Sequence, residues 1–170
     1  MKKIIPLLLC LVMLLCGCSS PLFVSSPRLP DFNSSYTMTA KISGSTDCTA
    51  ELTRKAVNQW TVSFAEPYAL VGVTLQYDGG ELSAAFDGIS CTGCGVGWEE
   101  SDLCSLIAVL ECAANDSQSL TVTSTAQGVR ASGSCSAGSF TLELNENGEL
   151  ISVSVDKTGI RADVTELAYN

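Results

Sequence analysis

The sequence predicts a mainly β domain: a curved antiparallel sheet of about nine or ten strands, a half-barrel, with one α-helix packed on its concave face. Three observations carry this. After residue 35, apolar and polar residues alternate with a period of two through short segments set roughly ten residues apart, as strands with one dry and one wet face do. Only one later segment, Leu103 to Ala114, repeats at helical spacing. A helix of about 14 residues is about 20 Å long and about 10 Å wide. It cannot cover a flat sheet about 45 Å across, the width of ten strands at about 4.8 Å each. The sheet therefore has to curl its apolar face around the helix.

Residues 1–17 read as a lipoprotein signal peptide. Lys2 and Lys3 form a basic start, and Ile4 to Leu15 is apolar but too short to cross a bilayer comfortably, which takes about 20 residues. Leu15-Cys16-Gly17-Cys18 resembles the bacterial lipobox L-x-G-C. That resemblance implies cleavage before Cys18, a diacylglycerol on Cys18, and a domain held by acyl chains at the extracytoplasmic face of the cell membrane. Cys16 is the competing acceptor, but Leu15 before it is not the small residue the motif requires. Residues 18–34, with Pro21, Pro27 and Pro30 among serines, read as a lipid-anchored tether. Residues 35–170 form the half-barrel domain.

Within the domain, Tyr36, Met38, Ala40 and Ile42 face inward, then Cys48, Ala50 and Leu52 after a Gly44–Asp47 turn. The central meander runs from Trp60 to Gly88. Its dry faces carry Trp60, Val62 and Phe64, then Val73, Leu75 and Tyr77, then Leu82, Ala84 and Phe86. Asp78-Gly79-Gly80 supplies the positive φ a tight hairpin needs. Pro67 lacks a ladder donor, so Glu66-Pro67-Tyr68 predicts an edge, a bulge or a wide turn. Ile89 to Trp98 reads as a short glycine-rich connection, and the helix ends at Asn115-Asp116. Strands resume at Leu120/Val122, Val129/Ala131, Phe140–Leu144, Ile151–Val155 and Ile160–Val164.

Composition excludes several functions. Removing Lys2 and Lys3 from nine Lys and Arg leaves seven basic residues against eighteen acidic ones, a formal charge of −11. Nucleic acid and anionic bilayer surfaces both select for basic patches, so neither is an expected partner. The chain has no histidine, which removes most metal sites, catalytic triads and the usual general base. No enzyme activity, cofactor or metal is expected. Glu99, Glu100 and Asp102 crowd the helix start, where they complement its dipole.

Beyond Cys10, Cys16 and the lipidated Cys18, six cysteines remain: Cys48, Cys91, Cys94, Cys104, Cys112 and Cys135. An even number outside the cytoplasm makes them disulfide candidates, with fifteen possible connectivities. Cys104 and Cys112 are about 12 Å apart along the helix axis and cannot bond each other. Measured against the leucine stripe, Cys112 points away from the core. The expectation is that at least one helix cysteine is stapled to the Cys91/Cys94 loop; free buried thiols are the alternative.

The meander with one inserted helix resembles the Lol-type lipoprotein-carrier superfamily. It is most similar there to small Firmicute lipoproteins that read W-x-V-x-F-x-E-P…G-x-T-x-x-x-D-G, here Trp60 to Pro67 and Gly72 to Gly79, with G-x-F-T-L-x-L-x-x-x-G at Gly138 to Gly148. The resemblance implies a non-catalytic module that holds an apolar ligand, an acyl chain or a lipoprotein, in its concave face. Trp60, Val62, Phe64, Val73, Leu75, Leu106, Leu110, Phe140 and Leu142 would line that face. The alternative is an interaction or scaffold lipoprotein of the envelope or sporulation kind, with a self-filled core and a protein partner. The carriers also have a helix before the first strand; Asp31 to Thr37 has no helical period, so that helix is expected to be missing.

Overall fold

The computed structural model describes residues 29–170. The signal peptide, Cys18 and most of the tether lie outside the described residues.

Among the described residues eleven strands form: β1 (Tyr36–Ser43), β2 (Cys48–Ala56), β3 (Gln59–Glu66), β4 (Thr74–Asp78), β5 (Glu81–Phe86), β6 (Ile89–Thr92), β7 (Thr121–Thr125), β8 (Gly128–Cys135), β9 (Gly138–Leu144), β10 (Leu150–Val155) and β11 (Ile160–Tyr169). One helix, α1 (Asp102–Asn115), interrupts them between β6 and β7. All pairings are antiparallel, and the strands lie in the order β6-β5-β4-β3-β2-β1-β11-β10-β9-β8-β7. The sheet is open, and β6 and β7 are its two edges. β1 pairs with β11, so the start and end of the domain meet in the middle of the sheet. Register shifts at Thr39/Ala40, Thr49/Ala50, Arg54/Ala56 and Leu150/Ser152 put bulges near this middle. Bulges bend and twist strands, which is what lets an open sheet curl.

Helix α1 starts at an N-cap, where Ser101 Oγ accepts from the Cys104 amide at 3.1 Å. Asp102 accepts from the Ser45 amide at 2.7 Å and from the Ser45 hydroxyl, so the helix start is tied to the β1–β2 turn. Its apolar stripe, Leu106, Ile107, Val109, Leu110, Ala113 and Ala114, is buried. The helix packs mainly on β8, β10 and β11. Met38, Ala40, Leu52, Trp60, Val62, Phe140, Leu142 and Val153 rise from the sheet to meet the helix in one core. Burial of each large apolar side chain contributes about 1.5–3 kcal/mol.

Several expectations change. Ile89 to Thr92 is a strand, because its backbone pairs with Ser83–Phe86 although its four residues carry no alternation that sequence could read. Ile151 is 40% exposed, because the Leu150/Ser152 bulge turns it out and puts Leu150 inside. Val122 is 46% exposed, because edge strand β7 has nothing packed over it. Val73 lies just outside β4 and is half-buried rather than a strand residue. The packed body begins before residue 35, since Phe32 is buried and Leu29 packs against the core. Asp31 to Ser34 is a turn leading into β1, without a helix.

Candidate binding face

The nine residues expected to line a concave cavity separate into two sets. Trp60, Val62, Leu106, Leu110, Phe140 and Leu142 are at most 2% exposed and fill the interior against one another. Phe64, Val73 and Leu75 are half-buried and lie toward the β6 edge. The helix occupies the middle of the concave face and leaves that wing open.

The register traces the open face outward. Directly opposed residues of an antiparallel pair share a face. Trp60 opposes Tyr77, which opposes Leu82; Val62 opposes Leu75, which opposes Ala84, which opposes Cys91. Phe86 opposes Ile89 and shares a face with Ala84. Phe86 and Ile89 therefore extend the concave face of the core. Exposure along it rises from 1% at Val62 to 53% at Phe86 and 75% at Ile89. None of the inward positions of β3 to β6 carries a charge. The inner end is closed by Trp98, whose ring lies 5.9 Å from that of Tyr77. At the rim, Val71 and Tyr68 are 43% and 92% exposed, and Gly72 sits against the Phe86 ring. Phe86 and Ile89 were not among the lining residues expected from sequence; Phe86 was legible by alternation, whereas Ile89 needed the β5–β6 register.

The core also contains an ion pair. Arg54 and Glu111 are 1% and 6% exposed. Glu111 Oε1 accepts from Arg54 Nε at 2.9 Å, Trp60 Nε1 at 2.8 Å and the Asn58 amide at 3.1 Å. Its Oε2 accepts from Arg54 Nη2 at 3.3 Å, and Arg54 Nη1 donates to Asn33 O at 2.8 Å. This network ties the C-terminal half of α1 to the β2–β3 hairpin and to the segment entering β1. Tyr36 packs edge-on to Trp60 and to Phe32 beside it. Burial pushes the Tyr36 hydroxyl well above the usual phenol range, with Arg54 opposing and Glu111 adding to the shift. The signal in sequence was present: Arg54 has the inward register of Leu52, and Glu111 adjoins the apolar stripe.

Cys112 does not point away from the core; it is half-buried against β8, where its thiol donates to Ser134 O at 3.8 Å. Cys94 Sγ donates to Cys91 O at 3.2 Å, and hydrogen bonding to Cys94 pushes the Cys91 thiol up. A nucleophilic thiol needs the opposite shift. All six are free thiols in this structure. Among the described residues, no group of three or more Cys, Asp or Glu is placed to hold a metal ion, and no helix is long and apolar enough to cross a membrane.

No family model matches the chain, and no curated protein does. Among solved structures, it is similar to an uncharacterized conserved protein from Thermus thermophilus, at 12% identity over 82% of this chain and 81% of that one, with a TM-score of 0.47. It is similar to a LolA superfamily protein from Nitrosomonas europaea, at 10% identity over 85% and 89%, with a TM-score of 0.41. A third likeness is to a domain assigned to an outer membrane lipoprotein-sorting protein from Vibrio parahaemolyticus, at 7% identity over 81% and 84%, with a TM-score of 0.36. These likenesses are too distant to place the chain in a family.

Proposed function

We propose that this protein is a lipid-anchored, non-catalytic binding module at the extracytoplasmic face of the cell membrane, and that it binds on the open wing of β3 to β6. The carrying observation is the uncharged apolar face that runs uncovered from Leu75 and Ala84 to Phe86 and Ile89 and ends on an unpaired strand edge. Soluble monomers rarely leave such a surface open without a use for it. The interior supports no ligand there, because helix and ion pair fill it.

The favoured occupant is an extended segment of an envelope protein, added as a strand beside β6. Such a segment satisfies the free backbone groups of β6 and covers Ile89 and Phe86 with its own side chains. The opposite edge offers no such face: β7 reads Thr121-Val122-Thr123-Ser124-Thr125. A second reading has a specific support. The absence of charge from every inward position of β3 to β6 also suits an acyl chain, free or on a lipoprotein, lying across the wing.

A photoreactive residue at Ser90, with Ser124 on the other edge as control, tests this in cells. A discrete protein adduct from position 90 only, lost when Phe86→Asp and Ile89→Asp are added, is the expected result. A lipid mass carried through native mass spectrometry, and removed by the same substitutions, would establish the acyl-chain reading instead. No adduct at position 90 and a bare protein mass would sink both.

A further inference from the structure

We propose that Cys112 and Cys135 form a disulfide in the exported protein, closing helix α1 onto the β8–β9 hairpin. The two cysteines sit on elements that pack together. Cys112 is one turn from the C-terminal end of α1, and Cys135 is the last residue of β8. The helix packs on β8, and the Cys112 thiol donates to Ser134 O, the carbonyl preceding Cys135, at 3.8 Å. Both side chains pack against the same core. Cys135 is held rigidly, because β8 turns at once into β9 through a Cys135–Gly138 pairing.

The position explains what the bridge does. Arg54 and Glu111 bind the helix to the β2–β3 hairpin on one side of the central β1–β11 pair. Cys112, the next residue, binds it to β8 on the other side. One helical turn thus fastens both arms of an open sheet, and the disulfide makes one of those fastenings covalent. The β6 wing stays outside the clasp.

The chemistry balances by exchange with a disulfide oxidant, a protein dithiol–disulfide carrier or glutathione disulfide. The Cys112 thiolate attacks an oxidant sulfur, expelling one oxidant thiolate and forming a mixed disulfide. The Cys135 thiolate then attacks the Cys112 sulfur and expels the second. The protein loses two protons and two electrons, and the oxidant gains them as two thiols. Burial and the nearby Cys135 push the Cys112 thiol up, so closure in the folded state speeds up as pH rises.

This rests on export, and the test separates the two. Full-length protein made with its own leader is quenched with N-ethylmaleimide and cut without reduction after Arg and Glu. Cleavage at Glu111, Arg130 and Glu143 places Cys112 on 112–130 and Cys135 on 131–143, apart from peptides 82–99 and 101–111 that hold the other nearby cysteines. The expected product is the 112–130/131–143 cross-link, two hydrogens lighter than its parts. Cys112→Ser should abolish it and lower Tm by about 10 °C in the oxidised protein only. Alkylated Cys112 and Cys135 in protein whose N-terminus shows processing would overturn the proposal. If the leader is uncleaved, the export reading fails instead. The purified protein with glutathione disulfide then decides, and failure to form this cross-link there overturns the proposal.

Discussion

Glu111→Ala is the substitution that most directly tests how this domain is held together. It removes the acceptor for four bonds, at 2.9, 3.3, 3.1 and 2.8 Å, from Arg54 Nε, Arg54 Nη2, the Asn58 amide and Trp60 Nε1. Arg54, only 1% exposed, keeps its bond to Asn33 O but loses its counter-charge. An uncompensated buried charge costs about 3–5 kcal/mol. With a urea slope of about 2 kcal/mol/M, the unfolding midpoint should fall by about 2 M. Trp60 reports the transition, because its indole N–H is one of the four donors. The double variant Arg54→Met/Glu111→Leu removes both charges and should recover most of the loss, giving a coupling of about 3 kcal/mol in the cycle. A Glu111→Ala midpoint within about 0.5 M of wild type, or a double variant equal to the sum of its singles, would refute the reasoning.

Other outcomes follow from single sites. Arg130 hydrogen-bonds Glu143 and holds its carboxyl below the usual glutamate range, with Ser152 and Arg161 adding to this. A depressed folded-state pKa gives stability that is present above the unfolded value, about 4.3, and is lost as pH falls below it. Urea midpoints between pH 3 and 6 should therefore fall less steeply for Glu143→Gln than for wild type, and parallel curves would dismiss the link. Gly128 has φ +138°, and a Cβ there would run into Leu144 O; Gly128→Ala should cost more than about 1 kcal/mol in thermal or urea unfolding. Phe86→Asp and Ile89→Asp should leave the unfolding free energy within about 0.5 kcal/mol of wild type, since both side chains are more than half exposed. A large loss would mean that the wing belongs to the core.

Features that depend on near neighbours were legible in the chain alone. Period-two alternation marked ten of the eleven strands, Asp78-Gly79-Gly80 marked a hairpin, and the 3.6 period from Leu103 to Ala114 marked the helix. The need to curl followed from having one helix for so many strands. Folding in three dimensions settled what depends on residues far apart in the chain. Arg54 and Glu111 are 57 positions apart, so an inward arginine and a glutamate beside the stripe could be recognised as partners only once the sheet had closed around the helix. Strand β6 exists because β5 offers it a backbone ladder, a property its own four side chains do not encode. The expected cavity became a packed interior with an open wing because a helix covers only the strands it crosses. Which strands those are is set by the β1–β11 pairing, where contacts between the two ends of the domain fix the sheet's middle.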